Sequence, residues 1–164
     1  MDFSKKVSSA PNICKVYLDF TGKSLAYNPS SATFHDTIVT NGLIKETYFH
    51  KSTIQFSEIS IETAAGTKFE QRLSISFNNN DQDRSKRLLQ LIGVKHIILK
   101  LDTGEVLCIG RNDYVQNKKP NLETTNTHIK TQADFSCESI IPASNYIGNI
   151  LINLPGIIPL DFIL

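Results

Sequence analysis

Residues 66–110 constrain this chain more tightly than any other stretch. Between 69 and 77, Phe69, Leu73, Ile75 and Phe77 are apolar, while Glu70, Arg72, Ser74 and Ser76 are polar. A period of two over that length predicts a strand with one face on a core and one face wet. Asn78, Asn79, Asn80 and Asp81 break the alternation, and residues 81–92 read as a short helix. Asn80 or Asp81 caps it, Asp81 and Asp83 lie in its first turn, Leu88, Leu89 and Ile92 form its apolar stripe, and Gly93 ends it. A strand over 94–101, a turn at Asp102-Thr103-Gly104-Glu105 and a strand over 106–109 follow. In that turn Gly104 takes a positive φ and Asp102 bonds the turn backbone. The stretch describes a building block and holds no set of catalytic residues.

The flanking sequence extends the same pattern. Over 12–20, Cys14, Val16, Leu18 and Phe20 alternate with Ile13, Lys15, Tyr17 and Asp19, and the first set is expected to face the core. Residues 21–33 form a turn-rich loop with Gly22 and Asn28-Pro29-Ser30-Ser31, and Pro29 voids the glycosylation sequon at Asn28. A weak strand is expected over 35–43, ending at the turn pair Asn41-Gly42, and a better one over 52–63. In the latter, Ile54 and Phe56 fall out of phase with Ile59 and Ile61, which suggests a β-bulge at Ser57-Glu58. Ala64-Ala65-Gly66 joins it to the next strand, giving a long hairpin over 53–77 whose far end is expected to touch a neighbouring subunit. After a polar loop over 112–121, the Thr-rich stretch 122–137 supplies two edge strands or one bent one.

Seven or eight strands with one helix argue for a mainly β fold. The expected architecture is a mostly antiparallel β-sandwich or partly open β-barrel, with one flanking α-helix and an extended apolar C-terminal arm. One β-rich domain then spans 1–146, with its helix near 81–92, and the arm spans 147–164. Ile150, Leu151, Ile152, Leu154, Ile157, Ile158, Leu160, Phe162, Ile163 and Leu164 are too apolar to dangle in water. Asn149, Asn153, Pro155, Gly156, Pro159 and Asp161 make the segment a poor helix and a poor membrane span. Ile150, Leu151, Leu154, Ile157, Ile158, Leu160, Phe162 and Leu164 are therefore interface candidates, on an arm expected to cross to an adjacent subunit. The alternative is a last strand covering its own core.

Composition narrows the function classes. A net charge of +1 gives no electrostatic reason to expect nucleic acid or an anionic membrane as partner, and Lys86-Arg87 and Lys118-Lys119 read as solvated charges. Residues 1–10 are polar with no apolar core behind Lys5 and Lys6, unlike a signal peptide, so the chain is expected to be soluble. Cys14, Cys108 and Cys137 are far apart and show no metal-ligand spacing, which suits reduced, buried thiols. His35, His50, His96 and His128 are scattered, and His96 is expected at the surface or satisfied within a sheet. Glu58, Glu62 and Glu70 fall at wet hairpin positions. No cofactor and no metal is implied.

Leu101-Asp102-Thr103-Gly104 resembles the catalytic loop of retroviral-type aspartic proteases, and Ile109-Gly110-Arg111-Asn112 resembles that family's later Gly-Arg segment. The spacing departs from the family's, since Glu105, Val106, Leu107 and Cys108 alone separate the two motifs here, whereas a flap and several strands do so there. Asp102 and Gly104 are therefore expected to be turn-structural, as is Gly66.

A second resemblance covers about half the chain. It runs from Thr67-Lys68-Phe69-Glu70-Gln71-Arg72-Leu73-Ser74-Ile75-Ser76-Phe77 through Arg87-Leu88-Leu89 and Leu91. It continues in His96-Ile97-Ile98-Leu99, Leu101-Asp102, Gly104 and Ile109-Gly110, with Asn112-Asp113-Tyr114 departing more. This order is similar to a group of small virion proteins of tailed phages of Bacteroidetes-type hosts. The resemblance implies a non-enzymatic structural protein of the virion, made in the host cytoplasm, that forms rings in the tail tube or the head–tail neck. Its implied partners are further copies of itself and other virion proteins, with no membrane and no sequence-specific nucleic acid. Tail tube, tail terminator and connector all remain open, as does the ring number. The other readings are a cytosolic β-barrel adaptor or ligand-binding module and, behind it, the protease.

Overall fold

The computed structural model describes residues 12–20, 37–38, 44–79, 83–110, 118–139 and 142–146. In chain order the strands are β1 (Ile13–Asp19), β2 (Thr37–Ile38), β3 (Ile44–Thr47), β4 (Gln55–Thr63), β5 (Gly66–Asn78), β6 (His96–Leu101), β7 (Val106–Ile109), β8 (Asn121–Asn126), β9 (Lys130–Ser139) and β10 (Ser144–Tyr146). One helix, α1 (Arg84–Ile92), lies between β5 and β6, and a single 3₁₀ turn (Lys51–Thr53) precedes β4.

The strands form two sheets, a four-stranded one ordered β4-β5-β9-β8 and a six-stranded one ordered β2-β10-β7-β6-β1-β3. Pairing is antiparallel except between β10 and β2. The alternation over 69–77 does what period two dictates: Leu73, Ile75 and Phe77 are buried against Ala133 and Phe135 of β9. Across the core they meet Val16 and Leu18 of β1, Ile97 and Leu99 of β6, and Ile109 of β7. The chain is thus mainly antiparallel β with a single helix among the described residues, as its patterning implies.

Four local expectations need correction. The segment 52–63 contains no bulge: its β4 portion pairs with β5 without a register break, from Gln55 opposite Ser74 to Thr63 opposite Gly66. Its apolar residues simply change face, Phe56 lying inward opposite Leu73 while Ile59 lies opposite Glu70 and is 56% exposed. The Thr-rich stretch is two strands, and only β8 is an edge, because β9 lies between β5 and β8. The helix begins at Arg84, with Asp83 as its N-cap residue, and Asn80 and Asp81 lie outside the described residues. Its buried stripe is Leu91 with half-buried Leu88, while Leu89 and Ile92 are exposed, because a 100° step per residue puts 84, 87/88 and 91 on one face. Arg87 belongs to that face and sets its guanidinium 4.7 Å from the centre of the Phe77 ring.

The fourth concerns β1. Val16 and Leu18 face the main core, but Tyr17 and Asp19, expected on the wet side, are buried as well. The six-stranded sheet carries a second cluster on its outer face, made of Tyr17, Ile98, Cys108 and Tyr146 with Ile44 and Val106 packed against it. Of the strand expected over 35–43, only Thr37–Ile38 falls within the described residues, and Asn41-Gly42 does not.

Candidate functional site

The hairpin built from β4 and β5 is the first feature that stands away from the body. Pairing of β5 with β9 reaches Phe69 opposite Ser139, whereas the ladder with β4 continues through Lys68, Thr67 and Gly66. A two-residue turn at Ala64-Ala65 closes it, and the Thr63 hydroxyl donates to the Gly66 carbonyl at 2.6 Å and accepts from the Ala65 N–H at 3.3 Å. Gly66 takes φ +118, a conformation other residues rarely adopt. At the base of the projection, Lys68 bonds both Glu138 (3.0 Å) and Glu70 (3.2 Å), and these carboxylates hold its ammonium above the usual lysine value.

The second feature is a cavity of about 900 Å³ where the two sheets part. Ile13, Leu101 and Leu107 line it from the six-stranded sheet, Ile54 and Phe56 from the chain entering β4, and half-buried Cys14 of β1 lines it too. Ile13, Ile54, Phe56 and Leu107 pack on the main core and are half-buried among the described residues. Asn12, Lys51, Ser52, Gln55 and Ser57 supply a polar rim. On this side β4 is the last strand of its sheet among the described residues. The volume falls in the range of sites that enclose a drug-sized ligand.

Away from the cavity, the core face of β5 carries one polar residue, Gln71, which is 0% exposed. Its Oε1 accepts from the Gly110 N–H (3.1 Å) and from the Cys137 thiol (3.3 Å), and its Nε2 donates to Glu58 Oε2 (2.8 Å). The same Glu58 oxygen accepts from the Ala143 N–H at 2.6 Å. This network ties β4, β5 and β9 to the segments that end β7 and begin β10. Burial pushes the Cys137 thiol up to about 11, so it stays protonated and donates. Glu58, expected as a solvated charge, is therefore a structural acceptor. A buried Asp19–His96 pair (Oδ2 to Nδ1, 3.1 Å) bridges β1 and β6 on the outer face, the satisfied form of the two environments expected for His96.

Asp102 occupies the four-residue loop between β6 and β7, where Gly104 has φ +89 and its N–H donates to the Leu101 carbonyl at 3.1 Å. Contrary to the expected bond within its own turn, its carboxylate reaches across to the residue that precedes β1: Oδ1 accepts from the Asn12 N–H and Oδ2 from Asn12 Nδ2, each at 3.1 Å. The reason is proximity, because the Asp102 N–H also donates to the Asn12 carbonyl at 2.9 Å, which brings the two residues side by side. Lys119, read as a solvated charge, donates to the Ile92 carbonyl at the C-terminal end of α1 at 3.0 Å.

Among the described residues no group of three or more His, Cys, Asp or Glu is placed to hold a metal ion, and no helix is long and apolar enough to cross a membrane. The interface candidates Ile150, Leu151, Leu154, Ile157, Ile158, Leu160, Phe162 and Leu164 lie outside the described residues. Comparison with protein-family models, with curated proteins and with solved structures finds no significant match to this chain.

Proposed function

We propose that this protein is a non-enzymatic assembly subunit, a ring-forming component of a tailed-phage virion at the tail tube or the head–tail neck. The observation that carries the reading is the β4–β5 hairpin. Its last three residue pairs extend beyond the pairing with β9; the outer two, Glu62–Thr67 and Thr63–Gly66, are exposed, Ile61–Lys68 is half-buried, and Ile59 is exposed at their base. A two-stranded ribbon this exposed gains little from its own domain and is marginal alone, so contact with a neighbour is what makes its length worthwhile. Ring closure requires one surface of a subunit to match a different surface of the next, and the projecting hairpin supplies one of the two.

Native mass spectrometry and electron microscopy of the purified protein test this directly. Rings or tubes are expected, and Gly66→Val, which forces a β-branched residue into a glycine conformation, should weaken assembly more than folding. Rings that form unchanged while the thermal stability of the subunit falls would count against the hairpin's role. A chain that stays monomeric at every concentration would remove the proposal. The cavity favours one other reading, a β-barrel module binding an apolar small molecule, and a stable monomer that retains such a ligand through purification would establish it.

A further inference from the structure

We infer that the tip of the β4–β5 hairpin, residues 62–67, docks in the polar cleft at the hairpin base of a second copy of this chain. This rests on the assembly reading and names the surface that receives the projection. The cleft forms where the chain entering β8 parts from β9. Their pairing starts at Asn121 opposite Ser136, whereas β9 runs on to Ser139. A space of about 340 Å³ is left there, lined by Arg72 of β5, by Ser136 of β9 and by Lys118, Lys119 and Asn121. Glu70 and Glu138 line it too, but Lys68 already bridges them, at 3.2 and 3.0 Å. Lys118 and Lys119 are exposed, and neither meets a carboxylate among the described residues; the bond from Lys119 goes to the Ile92 carbonyl. Arg72 adds a largely exposed guanidinium, 3.6 Å from Glu70.

An occupant of this cleft must bring negative charge and hydrogen-bond acceptors on a narrow profile, and the hairpin tip brings all three. Residues 62–67 are exposed, Glu62 carries a carboxylate with no ion pair among the described residues, and Ala64, Ala65 and Gly66 are small. The bonds of the turn use the Thr63 hydroxyl, the Ala65 N–H and the Gly66 carbonyl, and leave the Ala64 and Ala65 carbonyls free to accept among the described residues. A tip cannot enter the cleft of its own chain. Gly66 and the cleft residues Glu70 and Arg72 lie on the same strand, about 13–20 Å apart at about 3.3 Å per residue. The β4–β5 ladder is unbroken over that span, so folding the tip back would break its pairs. A second copy reaches the cleft with its ladder intact. Tip and cleft are also unlike surfaces, as closure of a ring requires.

A charge-reversal cycle on the full-length chain tests this. Glu62→Lys sets like charges in the contact, and so does Lys118→Glu, at sites that are exposed in the subunit. Each alone should weaken association about tenfold in sedimentation velocity at low salt, with circular dichroism of the subunit unchanged. The loss should shrink at 1 M salt, where the screening length is about 3 Å. Combining both changes in one chain should restore association. Mixing the two single variants should restore it too, because the reversed tip then meets the reversed cleft and the native tip the native cleft. Should Glu62→Lys disturb the hairpin, seen as a changed spectrum, the neutral pair Glu62→Gln and Lys118→Ala completes the same cycle. Effects that simply add in the double variant overturn the inference and leave the assembly reading in place. Restoration in the double variant but not on mixing assigns the contact to a single chain and overturns it as well. A parent chain that stays monomeric removes both.

Discussion

Gln71 is the position where a single substitution tests the packing logic most sharply. Gln71→Leu keeps the shape and removes the acceptor shared by the Gly110 N–H and the Cys137 thiol, together with the donor to Glu58. A buried N–H left without a partner costs about 1–3 kcal/mol. The bond to Glu58 is charge-assisted, but the carboxylate is exposed, so its loss costs about 1 kcal/mol at most. Added apolar burial returns roughly 0.8 kcal/mol per methylene. The net loss is about 2 kcal/mol, which for a domain of this size lowers Tm by roughly 4–8 °C. Urea denaturation followed by circular dichroism reads the midpoint, and an unchanged m-value would show that stability alone has moved. A companion variant, Gln71→Glu, buries a carboxylate at position 71 beside Glu58, and burial together with the neighbouring negative charge favours its protonated form in the folded state. Folded protein then binds more protons than unfolded protein, so stability falls as pH rises above the ordinary glutamate range and recovers as pH drops toward 5. A Gln71→Leu midpoint within about 0.5 kcal/mol of the parent, in the range of an ordinary surface change, would refute the view that this network joins the sheets.

Asp102→Asn should change stability by less than about 1 kcal/mol, because asparagine keeps one acceptor for the Asn12 N–H and the site is exposed. Pepstatin-sensitive peptide cleavage by the parent protein, lost in this variant, would revive the protease reading. Leu91→Ala should cost about 2–5 kcal/mol by leaving a cavity under α1, and Leu89→Ala on the exposed face less than about 0.5 kcal/mol. Equal effects in thermal melts would place the helix stripe wrongly. Of the three thiols, Cys14 should react with Ellman's reagent first at pH 8, since Cys137 stays protonated well above that pH and Cys108 is buried. Equal rates at Cys14 and Cys137 would contradict the environment described for the latter.

Most strands were legible because their burial is one-sided. From 69 to 77, polar and apolar residues sort by parity with Gln71 as the exception, and parity is all a half-buried strand needs. Legibility failed where that condition fails. The outer face of β1 carries Tyr17 and Asp19, and both are buried because the six-stranded sheet has a second cluster behind it. Alternation cannot report burial on two faces, and an unbroken apolar run such as Ile97-Ile98-Leu99 is the one hint the sequence offers. Four-residue β3 and three-residue β10 are too short to show any period. In the helix, Leu88, Leu89, Leu91 and Ile92 cluster so densely that several stripes fit, and only the Arg87 contact with Phe77 and the burial of Leu91 select one.

The Glu58–Gln71 pair shows what a stricter sequence argument would have recovered. Each residue alone looks like a flaw in an apolar pattern, and the flaw in β4 resembled an inserted residue. The hairpin turn removes that ambiguity. With Ala64-Ala65 as a two-residue turn, Thr63 faces Gly66, and counting back along both strands sets Glu58 directly opposite Gln71. Two polar residues at one register position, on a face otherwise set by Phe56, Leu73 and Ile75, are mutually explanatory, since the exposed Glu58 carboxylate accepts a bond that helps satisfy the buried Gln71 amide. Their third partner, the Gly110 N–H, comes from the other sheet and could not have been counted from any turn. Register is therefore readable from a sequence wherever a tight turn fixes it, whereas contact between sheets is not.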